Sequence, residues 1–555
     1  MADLDPESPR RILLLVTTGG FTHAAPVLEI GAVLASRGHE IQFATNAGQE
    51  SWTADYPFIK TVHTVGPAAK EEDMDAHYDR MRVWRVSQGM SKVMKSKTLF
   101  DSFWPDAYRK LRELCLDDKT RPHFIIADFF ADAAARDMLI QFNVQIAIVF
   151  PQMPHIMAPA PYHPGQPGFQ CDMTVTSEHA SLASRFRNEL VMFWALPTLI
   201  SYILWTKRQR AAAGVYYPLP LHTKPDYLVL VNSFWGLEAP KELPPLIAPV
   251  GPILADKYPP LDDDLSSFLK THDKTMYLSL GTHVCIPTDE LEMVLLGLIQ
   301  ALDAGHINGV IWAVPRKPRA KFDFTKTFTR ANGSLVSVAD VLIDKHPDFR
   351  TPVFAPQRAV LDHAHTVLFL THGGGSSANE ALFHGVPVLA VGYFFDQLCN
   401  SARLAQAGVG LQLDKGELSP AAISSSIAQI RADLDGSIAR NVRRLKRIAG
   451  IASRRKHLAA DMIEEVMVDQ QLRFKDGKEQ RPMHLQTADA RMPVWKAKNW
   501  DMWFVGLSGL AVTGVASWWM ATEGYKRLPE VIGRAANLAK DYSHELISKG
   551  IQGRG

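Results

Sequence analysis

The sequence predicts an α/β protein with two Rossmann-like domains, followed by a helical, hydrophobic C-terminal tail. Three observations lead to this fold class. Apolar runs such as residues 11–17 and 366–371 are short and uninterrupted, as expected of parallel strands that are covered on both faces. These runs alternate with helical segments in two blocks, at 11–150 and 275–407, which favours right-handed βαβ crossovers. A stretch rich in Pro and Asp at 249–264 separates the two blocks.

The pattern predicts four regions along the chain. The N-terminal domain is expected at 1–250, a linker at 251–264, the C-terminal domain at 265–475, and a further linker with the tail at 476–555. Within the first domain, residues 151–225 break the strand–helix alternation, beginning with a Pro-rich loop. Such an insertion lies where a pocket for a second substrate can be built.

Composition excludes several classes of protein. The chain has 555 residues and a net charge of only +2, so nothing indicates a nucleic-acid partner. Its four cysteines are widely separated, which disfavours a disulfide framework or a zinc site and fits a reducing compartment. The apolar run at 12–16 is too short for the core of a signal peptide, so we expect the bulk of the chain on the cytosolic side.

Two hydrophobic stretches need separate interpretation. Residues 189–205 are interrupted by Pro197 and fall short of a span, so we expect core of the N-terminal domain there. Contact with a membrane surface is the alternative, given Trp194 and Trp205. Residues 502–521 contain no charge and reach about 30 Å as a helix, so they form a candidate transmembrane helix.

The segment 371–387 carries the strongest chemical signal. A buried strand leads into three consecutive glycines and then into a serine-bearing helix start. Glycines let a phosphate approach the backbone closely, and the first helical turn offers free N–H groups at the positive end of the helix dipole. The segment lacks the lysine of a P-loop and the GxGxxG spacing of NAD sites. It therefore suits a pyrophosphate that is bound without a metal or cofactor.

The ordered run FAPQ…THGGGSSANEALFHGVPVLAVGYFFDQLCNSARL resembles the signature segment of the UDP-glycosyltransferase family, which includes plant secondary-metabolite and animal detoxification enzymes. The opening TTGGFTHAAP and the strand end LSLGT extend the resemblance into both domains. It implies the GT-B arrangement, in which two Rossmann-like domains face each other across a cleft. A UDP-sugar and a lipophilic small-molecule acceptor are then the expected partners, and no obligate protein partner is indicated.

The resemblance also implies roles for residues around the nucleotide. Phe354 stands where the family has an aromatic residue, usually Trp, that stacks on uracil. Gln357 and Glu380 match the positions that hydrogen-bond the ribose hydroxyls. The residues that match diphosphate-binding positions are His372, Gly374, Ser376, Ser377 and Thr282.

Four further residues match positions at the reacting groups. Asp396 and Gln397 correspond to the pair that holds the sugar hydroxyls. His23 corresponds to the catalytic base, although Gly20 precedes it by three positions rather than one. Asp128, at the end of the run FIIAD, corresponds to the carboxylate that orients this histidine, and it also suits a helix N-cap. An imidazole is well matched to taking a proton from an attacking hydroxyl near neutral pH.

These features predict an inverting transferase that moves a hexose from a UDP-sugar to a hydroxyl or carboxyl group of a lipophilic molecule. Two other functions remain open at this point: a nucleotide-sugar epimerase of the same fold, and a non-catalytic subunit that binds nucleotide or lipid. GDP-mannose also remains open as the sugar source. The expected location is a membrane, with the catalytic domains on the cytosolic side, or the cytoplasm if the tail is not an anchor.

Overall fold

The computed structural model describes residues 8–154, 156–160, 162, 174–219, 224–281, 284, 286–475 and 478–551. It divides into two compact units, at residues 1–486 and 487–555. The first unit contains two parallel sheets, and the second is helical. The predicted fold class is therefore confirmed.

The first sheet has seven parallel strands in the order β3-β2-β1-β4-β5-β6-β7. Its strands are β1 (Arg11–Val16), β2 (Glu40–Asn46), β3 (Thr61–Gly66), β4 (Phe124–Asp128), β5 (Gln145–Phe150), β6 (Leu228–Val231) and β7 (Ile247–Pro249). The helices of this half are α1 (Phe21–Ser36), α2 (Glu71–Arg82), α3 (Ser91–Asp101), α4 (Trp104–Leu116), α5 (Asp132–Phe142) and α6 (Leu182–Ala212).

The second sheet has six strands in the order β12-β9-β8-β13-β14-β15. The strands of this half are β8 (Thr275–Ser279), β9 (Gly309–Ala313), β10 (Thr327–Thr329), β11 (Leu335–Ser337), β12 (Phe349–Arg350), β13 (Thr366–Thr371), β14 (Val388–Ala390) and β15 (Gly410–Gln412). Its helices are α7 (Asp263–Thr271), α8 (Thr288–Asp303), α9 (Arg316–Arg319), α10 (Val338–Leu342), α11 (Gln357–Asp362), α12 (Gly375–His384), α13 (Asp396–Gln406), α14 (Pro420–Ala432) and α15 (Ser437–Ala452). A last helix, α16 (Lys456–Arg473), leads to the short hairpin of β16 (Phe474–Lys475) and β17 (Lys478–Glu479).

Burial on both faces explains the continuous apolar strands. Side chains alternate across a strand, so Leu14 enters a core shared with α1, while Leu13 and Leu15 enter a second core shared with α4 and α5. In the second sheet, Met276 and Tyr277 likewise enter different cores. The helix α16 packs against α1, with Ile463 buried in the core beside β1.

The helix α1 begins at Phe21, so that His23 lies in its first turn. Helix α6 differs from its sequence-based prediction. The stretch 189–205 is not core, because only 6 % of the most apolar window of α6 is buried. Pro197 does not interrupt α6, which is continuous from Leu182 to Ala212.

The second unit consists mainly of two helices, α17 (Val494–Ala497) and α18 (Trp500–Ile551). The predicted apolar helix at 502–521 forms the first part of α18, which continues through Pro529. None of its most apolar window is buried. By length and composition, α18 is long and apolar enough to cross a membrane.

Candidate active site

His23 and Asp128 meet at the carboxyl ends of neighbouring strands β1 and β4. Nδ1 of His23 lies 2.9 Å from Oδ1 of Asp128, while the other carboxylate oxygen accepts a 3.0 Å hydrogen bond from the backbone N–H of Phe130. Asp128 therefore orients the imidazole and caps a short helical turn at the same time. Gly19, with φ +93°, permits the close approach, because a Cβ there would lie 2.5 Å from the His23 ring.

The surroundings of His23 control its proton affinity. Burial alone would lower the pKa of His23, but the Asp128 carboxylate, and to a smaller extent Asp396, raise that pKa above the ordinary value of 6.5. The ring of Phe130 packs 4.9 Å from the imidazole, centroid to centroid. Because Asp128 holds Nδ1, Nε2 is the nitrogen that can accept a proton from a substrate.

Glycines also allow His372 to approach the backbone at the end of β13. A Cβ on Gly374 would lie 2.5 Å from Nε2 of His372, and one on Gly281 would lie 2.8 Å from the same ring. Gly373 has φ +77°, a backbone conformation that side chains disfavour. The sequence therefore places this imidazole beside the N-terminus of α12, where free N–H groups favour an anion.

Gln357 and Glu380 form one hydrogen-bonded unit. Nε2 of Gln357 donates to Oε2 of Glu380 at 2.7 Å, and Oε1 of Gln357 accepts a bond from the Tyr277 hydroxyl at 3.4 Å. Burial raises the pKa of Glu380, against the opposing effects of Gln357 and Arg358.

Asp396 and Gln397 open helix α13. Oδ2 of Asp396 accepts bonds of 3.3 Å from the N–H of Gly375 and from the side-chain amide of Asn400. The carbonyl oxygen of the Gln397 side chain accepts backbone bonds from the preceding loop, so its NH₂ group is the part available to a ligand. The residue before them, Phe395, has φ +49°, an uncommon conformation for a bulky residue, and such strain concentrates at functional sites.

The remaining predicted residues lie around the same loop. Ser377 is buried at the first turn of α12, Ser376 is half-buried, and the side chain of Phe354 is 79 % exposed. Thr282 lies outside the described residues.

A single cavity of about 2450 Å³ brings the two groups of residues together. Its walls include His23 and Asp128 on one side and, on the other, every described residue that was predicted to bind the UDP-sugar. The rings of Phe129 and Phe130 lie against His23, and charged residues such as Lys97, Asp132 and Arg136 also line this half of the cavity. Two reacting groups can therefore meet in one cavity.

Sequence reasoning missed two buried contacts that hold the halves of this site together. Arg403 on α13 pairs with Glu238 at 3.0 Å, and both side chains are less than 5 % exposed. The amide of Asn379 on α12 donates to the backbone carbonyl of Asn232 at 2.9 Å. No short-range pattern indicates this pair, because Arg403 lies in a helix of mixed polarity and Glu238 is 165 residues away in the chain.

Within the described ranges, no group of three or more His, Cys, Asp or Glu side chains is placed to hold a metal ion. The charges that face the cavity from the glycine loop and α13 belong to protein groups and to helix ends.

Comparison with known proteins identifies the class that this fold and cavity define. Residues 12–450 match the family described as UDP-glucoronosyl and UDP-glucosyl transferase. The chain is 40 % identical to the UDP-glycosyltransferase FPY2 of Fusarium mangiferae over 92 % of this chain and 97 % of that one. It is 42 % identical to the UDP-glycosyltransferase stmC of Aspergillus ustus, with the same shares of the two chains covered.

Solved structures agree with the fold. A glycosyltransferase of kitacinnamycin superposes with a TM-score of 0.58 at 17 % identity, over 82 % of this chain and 99 % of that chain. The protein belongs to the UDP-glycosyltransferase family. It is an enzyme of the GT-B fold that uses a UDP-sugar donor and a small-molecule acceptor, and its long apolar C-terminal helix is a candidate membrane anchor.

Proposed function

We propose that the enzyme moves a hexose from a UDP-sugar to a hydroxyl or carboxyl group of a lipophilic small molecule, with inversion at the anomeric carbon. The observation that carries this proposal is the shared cavity, which has a histidine–carboxylate pair on one side and a glycine-rich anion site on the other. The aromatic rings of Phe129 and Phe130 against His23 support a lipophilic acceptor, because they offer an apolar contact surface beside the proposed base.

In the proposed reaction, Nε2 of His23 takes the proton of the acceptor hydroxyl as its oxygen attacks the anomeric carbon. Asp128 stabilises the imidazolium that forms, through the 2.9 Å contact with Nδ1. The bond between the anomeric carbon and the β-phosphate oxygen breaks, and UDP departs as the anion. Attack on the face opposite to the leaving group produces the inverted configuration.

The glycine loop would stabilise the departing charge with hydrogen-bond donors that are already in place. His372, Ser376, Ser377 and the first N–H groups of α12 are proposed to contact the diphosphate. Thr282 is proposed as a further contact to the terminal phosphate. Because these donors would stabilise the phosphate charge that a metal ion stabilises in other transferases, we expect activity to persist in the presence of EDTA.

The nucleoside and the sugar would bind on either side of that loop. Phe354 is proposed to stack on uracil, and the Gln357–Glu380 pair to bind the ribose hydroxyls. Asp396 and the NH₂ group of Gln397 are proposed to hold the sugar hydroxyls. In this arrangement residues 1–250 bind the acceptor and residues 265–475 bind the UDP-sugar.

We further propose that residues 502–521 anchor the enzyme in a membrane, with its catalytic domains on the cytosolic side.

Titration calorimetry with UDP, GDP and NAD tests the nucleotide first. We expect UDP to bind best and His372→Ala to weaken its binding, whereas preference for GDP would redirect the proposal to mannose transfer. A panel of phenols, sterols and fatty acids is then incubated with UDP-hexoses, and the anomeric configuration of each product is determined by NMR. Retention of configuration, or transfer only to hydrophilic acceptors, would contradict the proposal.

A matched histidine variant separates catalysis from folding. His39 also pairs with a carboxylate, at 3.0 Å from Glu464, but it does not line the cavity. His23→Ala should abolish transfer with UDP affinity nearly unchanged, and His39→Ala should retain transfer. Equal losses in the two variants would remove His23 from the proposed role.

A further inference from the structure

Helix α6 carries apolar side chains on its outer face as well as on the side that packs on the fold. Its inward positions include the polar residues Ser184, Asn188 and Arg210, all of which are buried. Large apolar side chains that are about half exposed or more lie on its outer face: Phe186, Phe193, Trp194, Ile200 and Leu204. A helix on a water-soluble surface normally buries its apolar face, so the outer surface of α6 is suited to a non-aqueous environment.

Buried polar contacts hold α6 in this orientation. Arg210 makes a two-pronged ion pair with Asp137 at 2.8 and 3.0 Å, and both side chains are almost completely buried. The indole of Trp104 and the hydroxyl of Tyr217 donate to the same carboxylate, each at 2.8 Å. Further along α6, the Tyr202 hydroxyl donates to Asp101 at the end of α3. Turning the apolar face inward would break these contacts.

The charges on α6 restrict what can cover its apolar face. Between residues 190 and 206 the helix carries no charge; exposed Arg185, Arg187 and Glu189 precede this stretch, and exposed Lys207 and Arg208 follow it. Both ends therefore have a net positive charge, and a second copy of α6 would bring like net charges together in either direction. An apolar face with aromatic residues and basic ends instead complements acyl chains beneath anionic headgroups.

We propose that the outer face of α6 docks on the surface of an anionic lipid bilayer, with the helix lying in the plane of the interface. The inward side of α6 remains packed on the fold, so this is a surface contact rather than a span. Leu199, Tyr202 and Trp205 of the same helix line the cavity. Docking therefore places one wall of the cavity at the lipid surface. The proposal does not depend on which acceptor the enzyme uses.

A fluorophore placed on α6 of the full-length protein tests this contact. Ile200→Cys is labelled with an environment-sensitive dye, and Leu434→Cys, on a residue that is 97 % exposed in the loop after α14, is the matched control. Signal from the four native cysteines is measured on the parent chain and subtracted. The probe is a phosphatidylcholine vesicle containing phosphatidylserine and a lipid-borne nitroxide quencher. The control position accounts for any tethering through the C-terminal tail.

We expect several-fold stronger quenching at position 200 than at 434, and a weaker difference when phosphatidylserine is omitted. Equal quenching at the two positions would overturn the proposal. A dye at position 200 that is already shielded before vesicles are added, and is not quenched afterwards, would also overturn it, because protein would then cover the face. Leu204→Cys provides a second labelling position on the same face if Ile200→Cys does not fold.

Discussion

His23 can accept a proton only in its neutral form, so its protonation equilibrium sets the acidic limit of activity. The pKa of His23 lies above the ordinary histidine value of 6.5, so the imidazole becomes neutral only at a correspondingly higher pH. In Asp128→Asn the raising charge is lost, while the burial that lowers the pKa of His23 remains. We therefore expect the acidic limb of kcat/KM to move to lower pH in this variant, together with a lower maximum. A pH profile of acceptor turnover measures both.

His23→Ala should lower kcat by about 10²–10⁴-fold, as is typical when general-base catalysis is lost.

For Asp128→Asn, an acidic limb that stays at the same pH would mean that a group other than His23 produces the limb. Glu464→Gln, beside the non-cavity residue His39, is the matched control and should leave the profile unchanged.

The close approach of Gly374 to His372 gives a second prediction at this scale. In Gly374→Ala the new methyl group would lie 2.5 Å from Nε2 of His372, so the imidazole must move. A hydrogen bond to a charged group contributes about 1.5–3 kcal/mol, and its loss weakens binding roughly ten- to a hundredfold. Calorimetry with UDP should record that loss.

Gly375→Ala is the comparison for this variant, because its methyl group would meet only ordinary contacts, at 3.6 Å from the Pro151 carbonyl. We expect a smaller loss of UDP affinity there. Equal losses in the two variants would indicate that the ligand, and not His372, needs the space.

The resemblance to the family, carried by short motifs at strand ends, was enough to predict which side chains meet in the cavity. Parallel strands bring their carboxyl ends to one edge of the sheet, so residues that follow different strands lie close together. His23 and Asp128 are a direct case, since β1 and β4 are neighbours. The roles of the individual atoms were not predictable. The backbone bonds to the Gln397 carbonyl and the strained φ of Phe395 depend on a loop conformation that no short pattern specifies.

At the scale of elements, the buried Arg403–Glu238 pair joins the helix that begins at Asp396 to the loop between β6 and β7. Oε1 of Glu238 also accepts a bond from the backbone N–H of Met153, a cavity residue, at 3.2 Å. Removing one partner of a buried pair typically costs about 3–5 kcal/mol. Glu238→Gln should therefore reduce the free energy of unfolding strongly and raise KM for the acceptor. Urea denaturation and kinetics measure the two effects.

The exposed pair Lys110–Glu113 provides the control, since breaking such a surface pair should cost less than about 1 kcal/mol. The double variant Glu238→Gln with Arg403→Met should lose less stability than the sum of the two single variants, because no unpaired charge is left buried. Additive losses would mean that the two side chains act independently.

Helix α6 shows that an apolar sequence pattern does not determine which side of a helix is buried. The sequence predicted a helix from the apolar residues, and a helix is present, but the stretch 189–205 was expected in the core and is mostly exposed. Which side packs inward is decided by Asp137 and Asp101, which lie on α5 and α3 and are distant in the chain. The predicted interruption at Pro197 was also wrong, because the helix continues through this residue.

At the scale of the whole molecule, the alternation of strands and helices predicted both sheets, since continuous apolar strands have few other uses in a soluble fold. The placement of α16 against α1 was not predictable from that alternation, because its buried residues meet a strand more than 400 positions earlier. The domain boundaries themselves remain a prediction.

The tail prediction concerns how the whole molecule is held. Every described residue of the proposed site lies within 1–486, whereas the apolar part of α18 lies in the second unit. Removing residues 495–555 should therefore leave UDP affinity unchanged. It should also convert an enzyme that resists alkaline carbonate extraction into one that carbonate releases, because the 502–521 stretch, about 30 Å long, is lost and only the surface contact through α6 remains. Sedimentation with membranes measures this change, and carbonate resistance in the truncated chain would contradict the anchor.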